Sequence, residues 1–133
     1  MSFNYNHPAP TFSARPAVLA NLLIALVAAI HLYILILEMF LWDTKTSRQA
    51  FNLSADFARD TRVMAANQGL YNGFLAAGLL WGLWAGESGF QLKIFLMSCV
   101  LLAGVYGSIT ASRKILYVQA LPAIAALAAL FIG

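Results

Sequence analysis

The chain has 133 residues, of which 62% are hydrophobic and 10% charged, and its mean hydropathy is +0.78. This composition excludes an ordinary soluble domain, in which about a quarter of the residues are charged. The net charge of +3 does not indicate nucleic-acid binding, because the basic residues lie in short segments between apolar blocks. We therefore expect a membrane protein that contacts membrane lipids and no nucleic acid.

Four apolar blocks follow an N-terminal tail, residues 1–16, that shows no periodicity. They cover about residues 17–41, 68–85, 92–111 and 115–133. Each is near the ~20 residues that span a bilayer as a helix, and their unbroken hydropathy excludes the alternation of a barrel. The first block exceeds the roughly 7 to 15 residues of a signal-peptide core, which indicates a retained anchor. The sequence predicts an all-α fold, a single four-span membrane bundle covering residues 1–133.

Basic residues predict the orientation of these spans. Four spans place six on one side, Lys45, Arg48, Arg59, Arg62, Arg113 and Lys114, and two, Arg15 and Lys93, on the other. Because positive charge is enriched in cytoplasmic loops, residues 43–66 are expected in the cytoplasm and both termini outside, in a bacterial inner membrane. Trp42, Trp81 and Trp84 suit the two interfaces.

The segment between the first two spans is expected to contain a short amphipathic helix, about residues 54–66. Ser54 is a suitable N-cap, and Phe57, Thr61 and Met64 share one face. Such a helix could lie on the membrane surface. The alternative is a long second helix projecting into the cytoplasm, with any break expected at residues 67–69.

Small residues at four-residue spacing predict the helix-packing faces. They are Gly69, Gly73 and Ala77, then Gly78 and Gly82, in the second span, and Ala103 and Gly107 in the third. Two rows on the second span indicate two neighbours, either within one bundle or in an oligomer. In the last span Pro122 removes a backbone donor and should bend the helix near Val118.

Polar residues gather toward the predicted cytoplasmic end. Taking the first span to end near Leu41, Glu38 lies roughly 5 Å and His31 about 15 Å from that end. The candidate ligand-binding residues are His31, Glu38, Gln68, Tyr71, Asn72, Tyr106 and Gln119. The structural alternatives are that Glu38 bonds to Asn72, Gln68 or a tyrosine, and that His31 is a neutral imidazole bonded to another helix.

No metal site is predicted, because His31 is the one histidine in the apolar blocks and the single cysteine, Cys99, has no partner ligand. Cys99 is also without a disulfide partner. The sequence contains no glycine-rich nucleotide-binding loop, and its motifs indicate no particular cofactor.

Three strings carry a family resemblance: HLYILILEMFLW, FNLSADF and ANQGLYNGFLAAGLLWGL. They resemble small bacterial membrane proteins grouped as domain of unknown function family 1304, over about residues 17–131. The resemblance implies a four-helix inner-membrane protein, draws attention to residues within these strings, including Trp42 and Asn67, and implies no reaction.

Three functions remain open. The first is binding or carrying a small amphipathic or apolar molecule in a cytoplasm-facing polar pocket. The second is an accessory or assembly subunit of a homo-oligomer or larger membrane complex. The third is a membrane-embedded enzyme that uses Glu38 or His31 for proton transfer.

Overall fold

The protein is all-α in a computed structural model that describes residues 14–132, with side chains described from residue 17. Five α-helices follow in order: α1 (Ala14–Met39), α2 (Lys45–Phe51), α3 (Ala55–Trp84), α4 (Phe90–Thr110) and α5 (Leu121–Ile132). A 3₁₀ turn (Gly86–Gly89) precedes α4, and a π-helical turn (Leu116–Ala120) leads directly into α5.

Two helical segments within residues 14–132 are long and apolar enough to cross a membrane. They are Ala17–Met39, which lies in α1, and Gly86–Thr110, which ends with α4. A third apolar stretch, Leu116–Ile132, is shorter. The predicted second span, residues 68–85, lies inside α3 and is not one of the two, because amides and glycines lower its hydropathy.

The helix predicted over residues 54–66 is the first half of α3, which matches the alternative of one long second helix. Ser54 is its N-cap as predicted, since its Oγ accepts a hydrogen bond from the Phe57 amide at 3.2 Å. No break occurs at residues 67–69, where Asn67 Nδ2 donates to Val63 O of the same helix at 3.0 Å. The 30 residues of α3 therefore form one helix of roughly 45 Å.

A separate short helix does follow α1, but it is α2, which was not predicted from the sequence. Thr44 caps its start, with Oγ1 accepting from the Ser47 amide at 3.5 Å. Asn52 ends it in the left-handed region, with φ of 56°. Thr44 and Asn52 thus provide local start and stop signals on either side of a helix of seven residues.

The long helices pack side by side. α1 contacts α3 and α5, and α4 contacts α3, α5 and the π-helical turn. Their shared core consists of small and branched side chains: Ala20, Ile24, Val27, Ala28, Leu79, Met97, Val100, Ala123, Ala126, Ala129 and Leu130. Small side chains allow close approach of helix backbones, which is how helices associate without large side chains between them.

Glycines set the contacts of α3 with two neighbours. A Cβ on Gly69 would lie 2.6 Å from Met39 Cγ, and one on Gly73 would lie 2.6 Å from Leu35 Cδ1, both on α1. A Cβ on Gly78 would lie 2.7 Å from Leu96 Cδ1 on α4. These pairings make α3 antiparallel to α1 and assign its two glycine rows to different helices.

Of the two glycines of α4, Gly104 makes the closer helix contact, and the small-residue pattern did not single it out. A Cβ there would lie 2.8 Å from the backbone nitrogen of Ala120. Gly107 lies beside Ile115, with a Cβ distance of 3.2 Å to Ile115 Cδ1. Ala103 and Ala77 are exposed in the single chain, so their predicted role in helix packing stays a prediction.

The predicted irregularity of the last helix coincides with the π-helical turn. In that turn Leu121 N donates to Leu116 O, a five-residue step instead of four. Pro122 has no N–H to donate to Val118 O, so α-helical bonding cannot continue across this position. Val118 lies within the turn, and the bend predicted near it stays a prediction.

Candidate functional site

A carboxylate and an amide join α1 to α3 near the end of α1. Asn72 Nδ2 donates to Glu38 Oε2 at 2.8 Å and also to Gln68 O at 3.2 Å. Gly69 permits this approach, since a Cβ there would lie 3.0 Å from Glu38 Cβ. The sequence analysis named Asn72, Gln68 or a tyrosine as the hydrogen-bond partner of Glu38, and in the structure the partner is Asn72.

The Glu38 carboxylate has one described hydrogen-bond donor and no described cationic partner. Glu38 is half-buried, and within residues 17–132, whose side chains are described, no lysine, arginine or histidine nitrogen lies within 4.0 Å of its oxygens. An ionised carboxylate offers about four acceptor positions, so one amide leaves most of them free. Gln68 and Tyr71, beside Asn72 in the α3 sequence, are exposed. The group is therefore able to bind a donor from outside the chain.

His31 lies in a different environment, fully buried within the packed helices. Its Nδ1 lies 2.9 Å from Val27 O, one turn earlier in the same helix, and not against another helix as expected. Nδ1 donates in that contact, which leaves Nε2 as the acceptor. Nε2 has no partner among the described residues. His31 is enclosed where Glu38 is half-exposed, so the two side chains do not share one surface.

The remaining predicted ligand residues are spread over other surfaces. Tyr71 is 60% exposed, and its ring meets Phe74 edge-on with centroids 6.2 Å apart. Tyr106, on α4, is 71% exposed, and Gln119 is half-buried in the π-helical turn. The structure therefore brings together Glu38, Asn72 and Gln68, and within residues 14–132 no side-chain hydrogen bond joins Tyr106 or Gln119 to them.

A second polar contact, which joins the connection after α1 to α3, lies just beyond the Glu38 pair. Trp42 Nε1 donates to Thr61 Oγ1 at 3.0 Å, and Thr61 Oγ1 donates to Phe57 O at 2.6 Å. The Trp42 ring also packs on Phe51, with centroids 5.0 Å apart. Trp42 was assigned to an interface from the sequence and this bond was missed, although Thr61 was placed on the apolar face of its helix.

Within residues 14–132, no three His, Cys, Asp or Glu side chains lie together as a metal site requires. Cys99 is half-buried with its thiol free. The polar groups that join helices are amides, hydroxyls, one carboxylate, the Trp42 indole and the Lys93 ammonium, which suit hydrogen bonding to an organic head group better than metal ligation.

Comparison with known proteins identifies the family. A family model described as "Protein of unknown function (DUF1304)" matches residues 25–131, a range that contains His31, Glu38 and Asn72. The chain belongs to the DUF1304 family. It is also similar to a protein named "Uncharacterized protein YpaA" from Lactococcus lactis subsp. lactis (strain IL1403), at 32% identity over 116 residues.

That match covers 86% of this chain and 98% of the Lactococcus protein. No solved structure matches the chain. DUF1304 membership confirms the resemblance carried by the three sequence strings, and it attaches no activity to them.

Proposed function

We propose that this DUF1304 protein is a multi-pass protein of the bacterial inner membrane that binds a small amphipathic molecule at Glu38, Asn72 and Gln68. The two long apolar segments, the shorter apolar stretch Leu116–Ile132 and the side-by-side packing of α1, α3, α4 and α5 support a four-span bundle. In this arrangement residues 43–66 and 112–114 are cytoplasmic and both termini are outside.

The observation that carries the proposal is the half-buried Glu38 carboxylate with a single amide donor and no described cation. An ionisable group in a membrane helix costs roughly 2.5 to 3.5 kcal/mol at the bilayer centre and less near its edge, so an unpaired one indicates a functional role. The head group that it binds carries hydrogen-bond donors or a positive charge, because an ionised carboxylate only accepts.

The surroundings of Glu38 suit the rest of such a molecule. Asn72 is held by both Glu38 and Gln68 O, which fixes the amide and orients the carboxylate. Tyr71 and Phe74, each 60% exposed, lie within one turn of Asn72 along α3 and offer aromatic surface for an apolar tail that passes around this helix. A few fixed polar groups beside apolar surface are typical of small-molecule sites.

One observation favours a second function, that of a subunit in a homo-oligomer or larger membrane complex. Ala77 and Ala103 are small, exposed residues of α3 and α4, which is the composition of a surface that packs against another helix. Catalysis by His31 has weaker support, since its fully buried ring gives a substrate no approach.

Native mass spectrometry of protein extracted gently from its host membrane tests the binding function. We expect a reproducible bound mass on the wild-type protein that is lost in Glu38→Gln. Glutamine keeps an oxygen to accept from Asn72 while removing the charge. Glu87→Gln, at an exposed position in the 3₁₀ turn, is the matched control and should keep the mass.

A bound mass that survives Glu38→Gln would contradict the Glu38 site. If no small molecule is found and Gly73→Leu dissociates an oligomer or a larger assembly, the subunit function replaces the binding function.

A further inference from the structure

Lys93 crosses the packed helices at the end of the molecule opposite Glu38. It lies in the first turn of α4 and is only 6% exposed. Its aliphatic stem covers α3, where a Cβ on Gly82 would lie 2.9 Å from Lys93 Cγ. Its Nζ reaches α1 and lies 3.4 Å from Asn21 Oδ1. The Lys93 side chain thus links α4 to both α3 and α1.

The Lys93 ammonium has no described counter-charge. Its hydrogen-bond partner, Asn21, is neutral, and within residues 14–132 no carboxylate oxygen lies within 4.0 Å of its nitrogen. A buried charge is costly unless it is paired, so this end of the molecule requires an anion.

The amide beside Lys93 lies at the surface. Asn21 is exposed, and its Oδ1 accepts from Lys93, which leaves the Nδ2 hydrogens free to donate outward. Asn21 lies four residues after Ala17, roughly 6 Å along α1 from the start of the apolar segment. In a bilayer this position lies a few ångströms inside the edge of the hydrocarbon layer, close to the head groups.

We propose that Lys93 and Asn21 bind the phosphate of an anionic membrane lipid. The ammonium supplies charge and the amide supplies directed donors, the combination that a phosphodiester oxygen accepts. The lipid chains then follow the exposed apolar side chains of α1, among them Leu22 and Leu26. This lipid site depends on the membrane placement proposed above and is independent of the Glu38 site.

Lipid titration followed by native mass spectrometry tests this site. Protein with a C-terminal affinity tag, which moves the terminal carboxylate away, is titrated in neutral detergent with phosphatidylglycerol or phosphatidylcholine. We expect preferential binding of phosphatidylglycerol and a loss of about tenfold or more in Lys93→Met, in which the methionine stem still covers Gly82. Asn21→Leu should lower binding less, because it removes the amide donors and keeps the charge.

Two further variants serve as controls for the loss of charge. Lys114→Met removes an exposed cation at the other end and should leave lipid binding unchanged. Glu38→Gln should also keep it, so a failure at Glu38 and a failure at Lys93 are distinguishable. If Lys93→Met does not fold, the same lipid titration is made with the surface variant Asn21→Leu.

Unchanged phosphatidylglycerol binding in folded Lys93→Met, or in Asn21→Leu where Lys93→Met fails to fold, would overturn the proposal. Displacement of the lipid by equimolar inorganic phosphate would also overturn it, because the site would then select free phosphate and not a lipid.

Discussion

Side-chain hydrogen bonds, and not apolar contact alone, hold the end of α1 to its neighbours. Glu38 bonds to Asn72, Trp42 bonds to Thr61, and Ser47 Oγ of α2 donates to Leu37 O at 3.3 Å. Ser47 is fully buried, so this last bond satisfies a polar group that would otherwise be costly. The three bonds fix where α1 stops and how the chain turns into α2.

Trp42→Phe is expected to destabilise the protein by about 1 kcal/mol, because it removes the N–H donor to Thr61 and keeps an aromatic ring against Phe51. Denaturant unfolding followed by circular dichroism measures the change. Trp84→Phe, at a position 84% exposed, is the control and should change the stability little. Equal losses in both variants would show that the Thr61 bond contributes nothing.

Residue roles were predictable from sequence where a local rule applies. Ser54 was identified as an N-cap because capping depends on the next three residues, and Asn72 was one of the amides named for Glu38 because depth along a helix follows from residue number. The burial of Lys93 was not predictable, since it depends on which face of α4 meets Gly82. His31 took a partner in its own helix because the i−4 carbonyl is always within reach of a helical side chain.

At the scale of elements, backbone contact at glycine decides how the helices sit. Gly104 of α4 lies against the backbone of Ala120, the last residue of the π-helical turn. Gly78 of α3 lies instead against the end of the Leu96 side chain. A side chain can change rotamer to make room, whereas a helix backbone has to move as a unit.

Gly104→Ala should therefore destabilise the protein by about 1 to 3 kcal/mol, the usual cost of overpacking. Gly78→Ala should cost less, because Leu96 can adjust. The midpoints of unfolding in denaturing detergent give the comparison, and both variants gain the same helix propensity from alanine. An equal or larger loss in Gly78→Ala would contradict the backbone contact at Gly104.

The presence of the helices was easier to predict from the sequence than the residues at which they begin and end. Apolar runs predicted the helices. Pro122 predicted disturbed helical bonding near Val118, because its missing N–H removes the bond to Val118 O. The continuity of α3 was left open, since a surface helix and a projecting helix share the same amphipathic pattern. The small-residue spacing also predicted a packing face through Ala103, whereas the residue that packs against another helix is its neighbour Gly104. Spacing alone does not tell which of two adjacent helix faces is buried by a neighbouring helix.

At the scale of the whole molecule, charge predicts the orientation in the membrane. Lys45, Arg48, Arg59 and Arg62 lie in or beside α2 and the first turns of α3, and Arg113 and Lys114 precede the π-helical turn. Antiparallel packing of α1 with α3, and of α4 with the π-helical turn, brings these two basic segments to the same end of the molecule. This end is expected to face the cytoplasm.

Single cysteines at positions 62 and 87, introduced in a Cys99→Ala background, test this orientation. Both positions are exposed; Arg62 lies in the first half of α3, and Glu87 lies in the 3₁₀ turn just after its end. In intact spheroplasts a membrane-impermeant maleimide should label Glu87→Cys and should label Arg62→Cys only after the membrane is opened. Labelling of Arg62→Cys alone in intact spheroplasts would reverse the topology, and equal labelling of both would contradict the membrane-spanning arrangement.

Because α3 is one unbroken helix, a displacement at one of its ends can be transmitted to the other. Its roughly 45 Å length exceeds the ~30 Å hydrocarbon thickness, so in the four-span arrangement proposed above about 15 Å of helix, bearing Asp56, Arg59 and Arg62, would extend past the bilayer. No break separates this charged segment of α3 from the residues that contact α1. A partner that tilts the charged segment would therefore also move Gly69 and Asn72. Thr61, which accepts the Trp42 N–H bond, and Asn72, which donates to Glu38, lie on this same helix, so a tilt of α3 would act on both contacts together.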